Sequence, residues 1–151
     1  MQPRIKNPAM LIPDAVGPLQ TLAKILAHGD VPEKTLDLVH MRVSQINGCG
    51  VCLHLHLGLA KKSSETEERM MTLAGWRDAP FFSDAERAAL ALGEAATRIA
   101  DRGDVPDDVW QECTRHYNEK QLAVLTLYIG LVNLFNRANV TTRQLAGSFK
   151  V

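Results

Sequence analysis

Cys49, Cys52 and His56 fall within eight residues, at successive spacings of three and four. On a helix those spacings bring side chains to one face. Asn47-Gly48, just before them, is a break signal, so a helix is expected to start at about Cys49. Two thiols and an imidazole would then occupy its first turns. Unpaired backbone N–H groups and the positive end of the helix dipole favour a thiolate there, and an imidazolium adds to the effect. Asp37 stands twelve residues before Cys49, with His40 one turn further on.

A thiol pair of this kind can reduce a hydroperoxide. One thiolate attacks the terminal oxygen and becomes a sulfenic acid, and the second thiol condenses with it to a disulfide. An external dithiol then reopens that disulfide by exchange. An imidazole of ordinary pKa, about 6.5, can take and give the protons near neutrality. The helix-end argument makes Cys49 the attacking residue; the proximity of His56 makes it Cys52. Spacing alone leaves both open. Two other readings compete. Cys49, Cys52 and His56 are also zinc-ligand types, but no fourth ligand follows at a standard spacing and Cys113 is distant in sequence. The pair could also be inert.

The rest of the chain has to position these groups. Its 151 residues suffice for one domain with a closed core, and 46% are hydrophobic. The 17 basic residues balance 17 acidic ones, which gives no sign of a nucleic-acid or anionic-membrane partner. The apolar stretch 122–134 is interrupted by Thr126, Gly130 and Asn133 and is too short to span a bilayer. No signal-peptide-like run opens the chain, so a cytoplasmic location is expected. In that reducing compartment a CxxC points to catalysis or metal binding rather than to a structural disulfide framework.

Pro3, Pro8 and Pro13 suggest an extended arm over 1–13. A single domain is expected over 14–140, followed by a tail over 141–151. Within the domain the apolar period predicts an all-α bundle of six to seven helices. The first, over 14–27, carries Val16, Leu19, Leu22, Ile25 and Leu26. The second, opened by Gly29-Asp30-Val31-Pro32, carries Leu36, Val39, Val43 and Ile46. The third buries Leu53 and Leu57. Ser64-x-x-Glu67 and Ser83-x-x-Glu86 have capping-box form, and Asn118 with Gln121 is a related cap. Gly103-Asp104-Val105-Pro106 repeats the punctuation at 29–32 and opens a helix with Val109, Trp110 and Cys113 on its inner side. The aromatic loop holding Trp76, Phe81 and Phe82 is expected to fold back on its own domain. No stretch alternates with period two.

The segment from Asp37 through Arg42-Val-Ser-Gln-Ile-Asn-Gly-Cys49-Gly-Val-Cys52 to His56 resembles the AhpD-like alkylhydroperoxidases of the carboxymuconolactone decarboxylase superfamily. Their pattern is an acidic residue twelve before a CxxC and a His four after it. Trp76, the Ala85-to-Leu90 run and Asn133-x-x-Asn136-Arg137 extend the likeness over roughly 15–140. The resemblance implies an all-helical fold assembled as homo-oligomers, trimers or hexamers. It implies that Cys52 is the peroxidatic residue, Cys49 the resolving one, and His56 part of a proton relay. Asp37 replaces the family's Glu, a carboxylate shortened by one methylene. His40 could compensate, though a partly exposed polar side chain is the simpler expectation. The implied substrate is a hydroperoxide, and the implied reductant is a lipoyl-type or thioredoxin-like dithiol. No cofactor or metal beyond the Cys49–Cys52 redox pair is expected. A redox-sensing oligomer and a lactone decarboxylase are the alternatives; the latter chemistry needs no dithiol. His54 is expected at the surface, Cys113 in the core, and Ser44 bonded to its own helix. Gln45 and Asn47 are expected to end their helix, and Asn136 and Arg137 to tie helix ends or subunits together.

Overall fold

The computed structural model describes residues 2–62 and 65–148, and among these there are nine α-helices and no strand. They are α1 (Pro8–Leu11), α2 (Pro13–Ala27), α3 (Glu33–Asn47), α4 (Gly50–Lys62), α5 (Glu67–Thr72), α6 (Asp84–Thr97), α7 (Ile99–Arg102), α8 (Asp107–His116) and α9 (Glu119–Thr141). Seven match the expected elements. The two additions are single turns: α1, within the expected arm, and α7, which follows α6 across a break at Arg98.

Helix α3 is the axis. It packs on α6 along one side and on α9 along another, while α4 folds back against it. Its stripe of Leu36, Val39 and Val43 is buried against Ala88, Ala89 and Leu92 of α6 and Leu125, Ile129 and Val132 of α9. The small residues of α6 permit this closeness: a Cβ added at Gly93 would sit 3.4 Å from Val39 Cγ1. Burying a large aliphatic side chain contributes about 1.5–3 kcal/mol, so this seam carries much of the fold's stability. A second cluster joins Leu38 and Met41 of α3 to Trp76, Phe82 and Leu90, which places the aromatic loop on its own domain.

Local rules set most boundaries. Ser83 with Glu86 and Asn118 with Gln121 form reciprocal capping boxes. Thr66 caps α5, while Ser64 lies outside the described residues. The two Gly-Asp-Val-Pro segments have the same role: Pro32 and Pro106 are N-cap residues with nearly equal dihedrals. The arm and the tail meet, Arg4 N–H donating to Thr142 O at 2.9 Å.

Three expected faces are corrected. Leu22 and Ile25 of α2 are exposed, and Trp110 of α8 is 42% exposed because Val109 and Cys113, four apart, already occupy the inward stripe. On α4, Leu57 is partly exposed while Val51 and Cys52 are buried. Leucines at 53, 55, 57 and 59 surround that helix, so periodicity marks no single face.

Candidate functional site

The site starts at the turn from α3 to α4. Gly48 has φ 66°, a left-handed conformation that glycine adopts without a Cβ penalty. It ends α3, and the next N–H, of Cys49, donates back to Ser44 O at 2.9 Å. Cys49 then serves as the cap of α4. Its carbonyl accepts from Leu53 N–H at 3.0 Å and its Sγ accepts from Cys52 N–H at 3.3 Å. A sulfur thus fills the place a Ser or Asp oxygen takes at other helix starts. Cys49 and Cys52 are joined as a disulfide with Cα atoms 5.4 Å apart, and both are almost fully buried.

Helix α9 holds this turn through asparagines spaced three apart. Asn47 Nδ2 donates to Oδ1 of both Asn133 and Asn136 at 2.9 Å. Asn136, fully buried, donates to Ser44 Oγ at 3.0 Å. Asn139, one turn on, donates to Cys52 Sγ at 3.4 Å. Asn47 therefore ties two elements together rather than only ending a helix, and Ser44 bonds across to α9. Arg137 stays within α9, donating to Asn133. Gln45 accepts from Arg42.

On the next turn of α4, His56 meets α3. Its Nδ1 stands 3.5 Å from Asp37 Oδ1, an ion-pair distance longer than a good hydrogen bond. The shortened carboxylate is thus beside the imidazole and is itself buried. His40 is also buried, contrary to the partly exposed position expected. Its ring stacks on that of His56, with centroids 3.3 Å apart, and its Nδ1 lies 3.5 Å from Tyr128 Oη. His40 Nε2 and His56 Nδ1 are buried with no hydrogen-bond partner among the described residues. Burial, then the neighbouring His56, holds the His40 pKa well below its ordinary 6.5. Burial, reinforced by Asp37 and Glu33, pushes the Tyr128 phenol well above its ordinary 10.

Two cavities flank the site, each of about 290 Å³. One opens beside Cys49, Gly50, Asn139 and Arg143. The other is lined by Asp37, His40, His56 and Tyr128 at its polar end and by leucines and Phe135 elsewhere. His54 is exposed. Cys113 lies in the core, its thiol donating to Ala88 O and pushed up to about 11 by burial first and Glu112 second. Among the described residues no group of three His, Cys, Asp or Glu is arranged to hold a metal ion. Nor is any helix there long and apolar enough to cross a membrane.

Fold and site together define an all-helical protein with a CxxC disulfide at a helix start and a carboxylate–histidine pair one turn away. The sequence profile of the carboxymuconolactone decarboxylase family matches residues 15–95, more than half of the chain, and the protein belongs to that family. It is similar to the uncharacterised protein YdfG of Bacillus subtilis, at 33% identity over 91% of this chain and 93% of that one. The structure of ATU0492 from Agrobacterium tumefaciens, a protein of unknown function proposed as the antioxidant-defence protein AhpD, superposes with a TM-score of 0.90. Identity there is 27%, over 98% of this chain and 100% of that one. The debrominase Bmp8, in complex with 2,3,4-tribromopyrrole, shares the fold at a TM-score of 0.79 and 20% identity. That match covers 90% of this chain and 72% of Bmp8.

Sequence reasoning singled out Cys49, Cys52, His56 and Asp37, and the fold brings them together as two pairs, Cys49 with Cys52 at the α3–α4 turn and Asp37 of α3 with His56 further along α4. It did not find Asn139 or Tyr128. The available signal was Asn133, Asn136 and Asn139, a polar stripe at helical spacing on an apolar helix.

Proposed function

We propose that this protein is an enzyme, an AhpD-type thiol peroxidase that reduces organic hydroperoxides with electrons from a dithiol. The observation that carries the reading is the joined Cys49–Cys52 pair at a helix start, one turn from the Asp37–His56 pair. In this cycle the Cys52 thiolate attacks the terminal oxygen of the hydroperoxide. The O–O bond breaks, Cys52 becomes a sulfenic acid, and the departing alkoxide takes a proton through His56. Cys49 then attacks the sulfenic sulfur, water leaves, and the disulfide forms. A lipoyl-type or thioredoxin-like dithiol in the cytoplasm restores both thiols by exchange. Asp37 orients His56 and balances the charge of its imidazolium. The disulfide is the redox group, so the cycle needs no other cofactor.

Exposed apolar side chains such as Met10, Ile12 and Leu127 support assembly of identical subunits; the family resemblance makes a trimer or hexamer the expected size, which sedimentation would test. The functional test is consumption of an organic hydroperoxide with dihydrolipoamide as the donor. Many turnovers per subunit are expected in wild type, and background rates in Cys49→Ser and Cys52→Ser. A single stoichiometric oxidation without turnover would replace the enzyme by a redox sensor.

A further inference from the structure

The two sulfurs of the pair are served by different donors. Cys49 Sγ accepts from the backbone N–H of Cys52 at 3.3 Å, within the first turn of α4. Cys52 Sγ accepts from a side chain, Asn139 Nδ2 of α9, at 3.4 Å. We propose that Asn139 is a catalytic residue of the thiol cycle. Its amide holds the Cys52 sulfur as a thiolate, first as the nucleophile toward peroxide and again as the leaving group when a reductant opens the disulfide at Cys49. This rests on the peroxidase reading above.

The backbone that carries the donor is fixed before any charge appears. One turn back, Asn136 is locked by Asn47 and Ser44, which pins α9 to the α3–α4 turn. One turn forward, the Asn139 carbonyl accepts from Gln144 N–H at 2.9 Å. A donor carried on such a backbone, and already on the sulfur in the disulfide state, needs little backbone movement when the sulfur becomes anionic. An amide N–H on a neutral sulfur is a weak bond. On a thiolate it is charge-assisted and about twice as strong. The interaction therefore favours the ionised state selectively.

The cavity beside the disulfide supplies the direction of reduction. Its lining includes Cys49, Gly50, Asn139 and the exposed Arg143. Arg143 has φ 56°, an uncommon backbone conformation for a residue with a Cβ. Its cation attracts an incoming thiolate to the Cys49 side. Attack there forms a bond from the reductant sulfur to Cys49 Sγ and breaks the Cys49–Cys52 bond. The electron pair moves to Cys52 Sγ, where Asn139 donates. A better-stabilised leaving thiolate speeds exchange. The reductant's second thiolate then attacks its own sulfur in the mixed disulfide. Cys49 is released as a thiolate and takes up a proton, and the reductant leaves as its disulfide. The charged or titratable groups on the elements packed here include His56 one turn after Cys52 on α4, Asp37 facing His56 from α3, and Arg143 in the lining of the cavity beside Cys49.

The test uses the reduced Cys49→Ser protein, in which Ser keeps the cap. It compares Asn139 with Asn139→Ala and Asn139→Asp by the pH dependence of iodoacetamide alkylation at Cys52, located by peptide mass. Loss of a charge-assisted bond raises the midpoint by about one pH unit in Asn139→Ala. A carboxylate at that position raises it further. With Cys49 retained, the second-order rate of Asn139→Ala with an organic hydroperoxide at pH 7 falls about threefold, the loss of thiolate being partly offset by the greater nucleophilicity of a more basic sulfur, while the thermal midpoint stays put. A merely structural role would move the thermal midpoint and leave the alkylation midpoint unchanged. Oxidised wild type treated with 2-mercaptoethanol and quenched in acid should carry its adduct on Cys49; an adduct on Cys52 overturns the leaving-group role. Unchanged alkylation midpoints in both variants, with peroxide turnover intact, overturn the role of Asn139 alone. A wild type no faster with hydroperoxide than a free thiol overturns the reading beneath it, whatever the alkylation midpoints show.

Discussion

On the α6 side of α3, Arg42 pairs with Glu94 at 2.6 Å. Trp76 Nε1–H donates to the same carboxylate at 3.1 Å, and Arg77 reaches its other oxygen at 2.7 Å. Glu94 has three partners, and each closes a contact between α3, α6 and the aromatic loop. On the α4 side of the same helix, Asp37 stands 3.5 Å from His56, and His40 and His56 each keep a buried nitrogen without a hydrogen bond among the described residues. A buried polar group left unpaired costs about 1–3 kcal/mol, so the second arrangement is the more expensive. The difference separates two jobs. A saturated network fixes geometry because every group would lose a partner by moving. An unsaturated one leaves the His56 nitrogen beside Asp37 without a fixed partner, and leans on the rest of the fold to stay together.

The sharpest way to break the contrast is to empty each network in turn. On the α4 side, His56→Ala should lower peroxide turnover about 10²–10⁴-fold, the range of general acid–base catalysis. Its thermal midpoint should fall little. Asp37→Asn should fall between this variant and wild type. On the α6 side, Glu94→Ala leaves Arg42 and the Trp76 N–H unpaired and should cost about 3 kcal/mol. Calorimetry should then find a thermal midpoint lower by roughly 10 °C. The alkylation midpoint of Cys52 should not move. If Glu94→Ala cut turnover at constant stability, the division of labour would be wrong.

The pH dependence of stability sharpens the contrast. Burial raises the Glu94 carboxyl, but the hydrogen bonds from Trp76, Arg77 and Arg42 outweigh it and hold the pKa below the ordinary 4.5. Glu86, bonded to Arg69 and Ser83, is lowered likewise. Groups lowered on folding stabilise above their unfolded pKa, so this contribution should fade below about pH 4.5. His40 acts in another window. Its folded pKa is lowered, so below 6.5 the unfolded chain binds a proton that the native state refuses. Stability should therefore fall with decreasing pH by at most about 1.4 kcal/mol per unit, starting near the ordinary histidine value. Urea titrations of His40→Phe at pH 7.5 and 5.5 should lack that slope. The smallest effect lies outside both networks: Ser83→Ala should cost about 1 kcal/mol through loss of the α6 cap.

Much of this was legible in the sequence because it rests on local rules. The CxxC and His56 spacing, the Asn47-Gly48 break and the caps at Ser83 and Asn118 each need only a few neighbouring residues. What was missed depends on packing. His40 reads as an ordinary polar residue until α4 lays His56 over it. Asn139 lies 87 positions from Cys52, and nothing local says which way its amide turns. The face of α4 was misread because leucines occupy both of its sides.

The central claim is that Cys52 attacks and Cys49 resolves. It is tested most directly by intact-mass and peptide analysis after one equivalent of an organic hydroperoxide, on wild type, Cys49→Ser and Cys52→Ser. Wild type should lose two hydrogens as the disulfide forms, with a trapped sulfenic acid at Cys52 in Cys49→Ser and none in Cys52→Ser. Sulfenic acid at Cys49 in Cys52→Ser, formed at the wild-type rate, would contradict it.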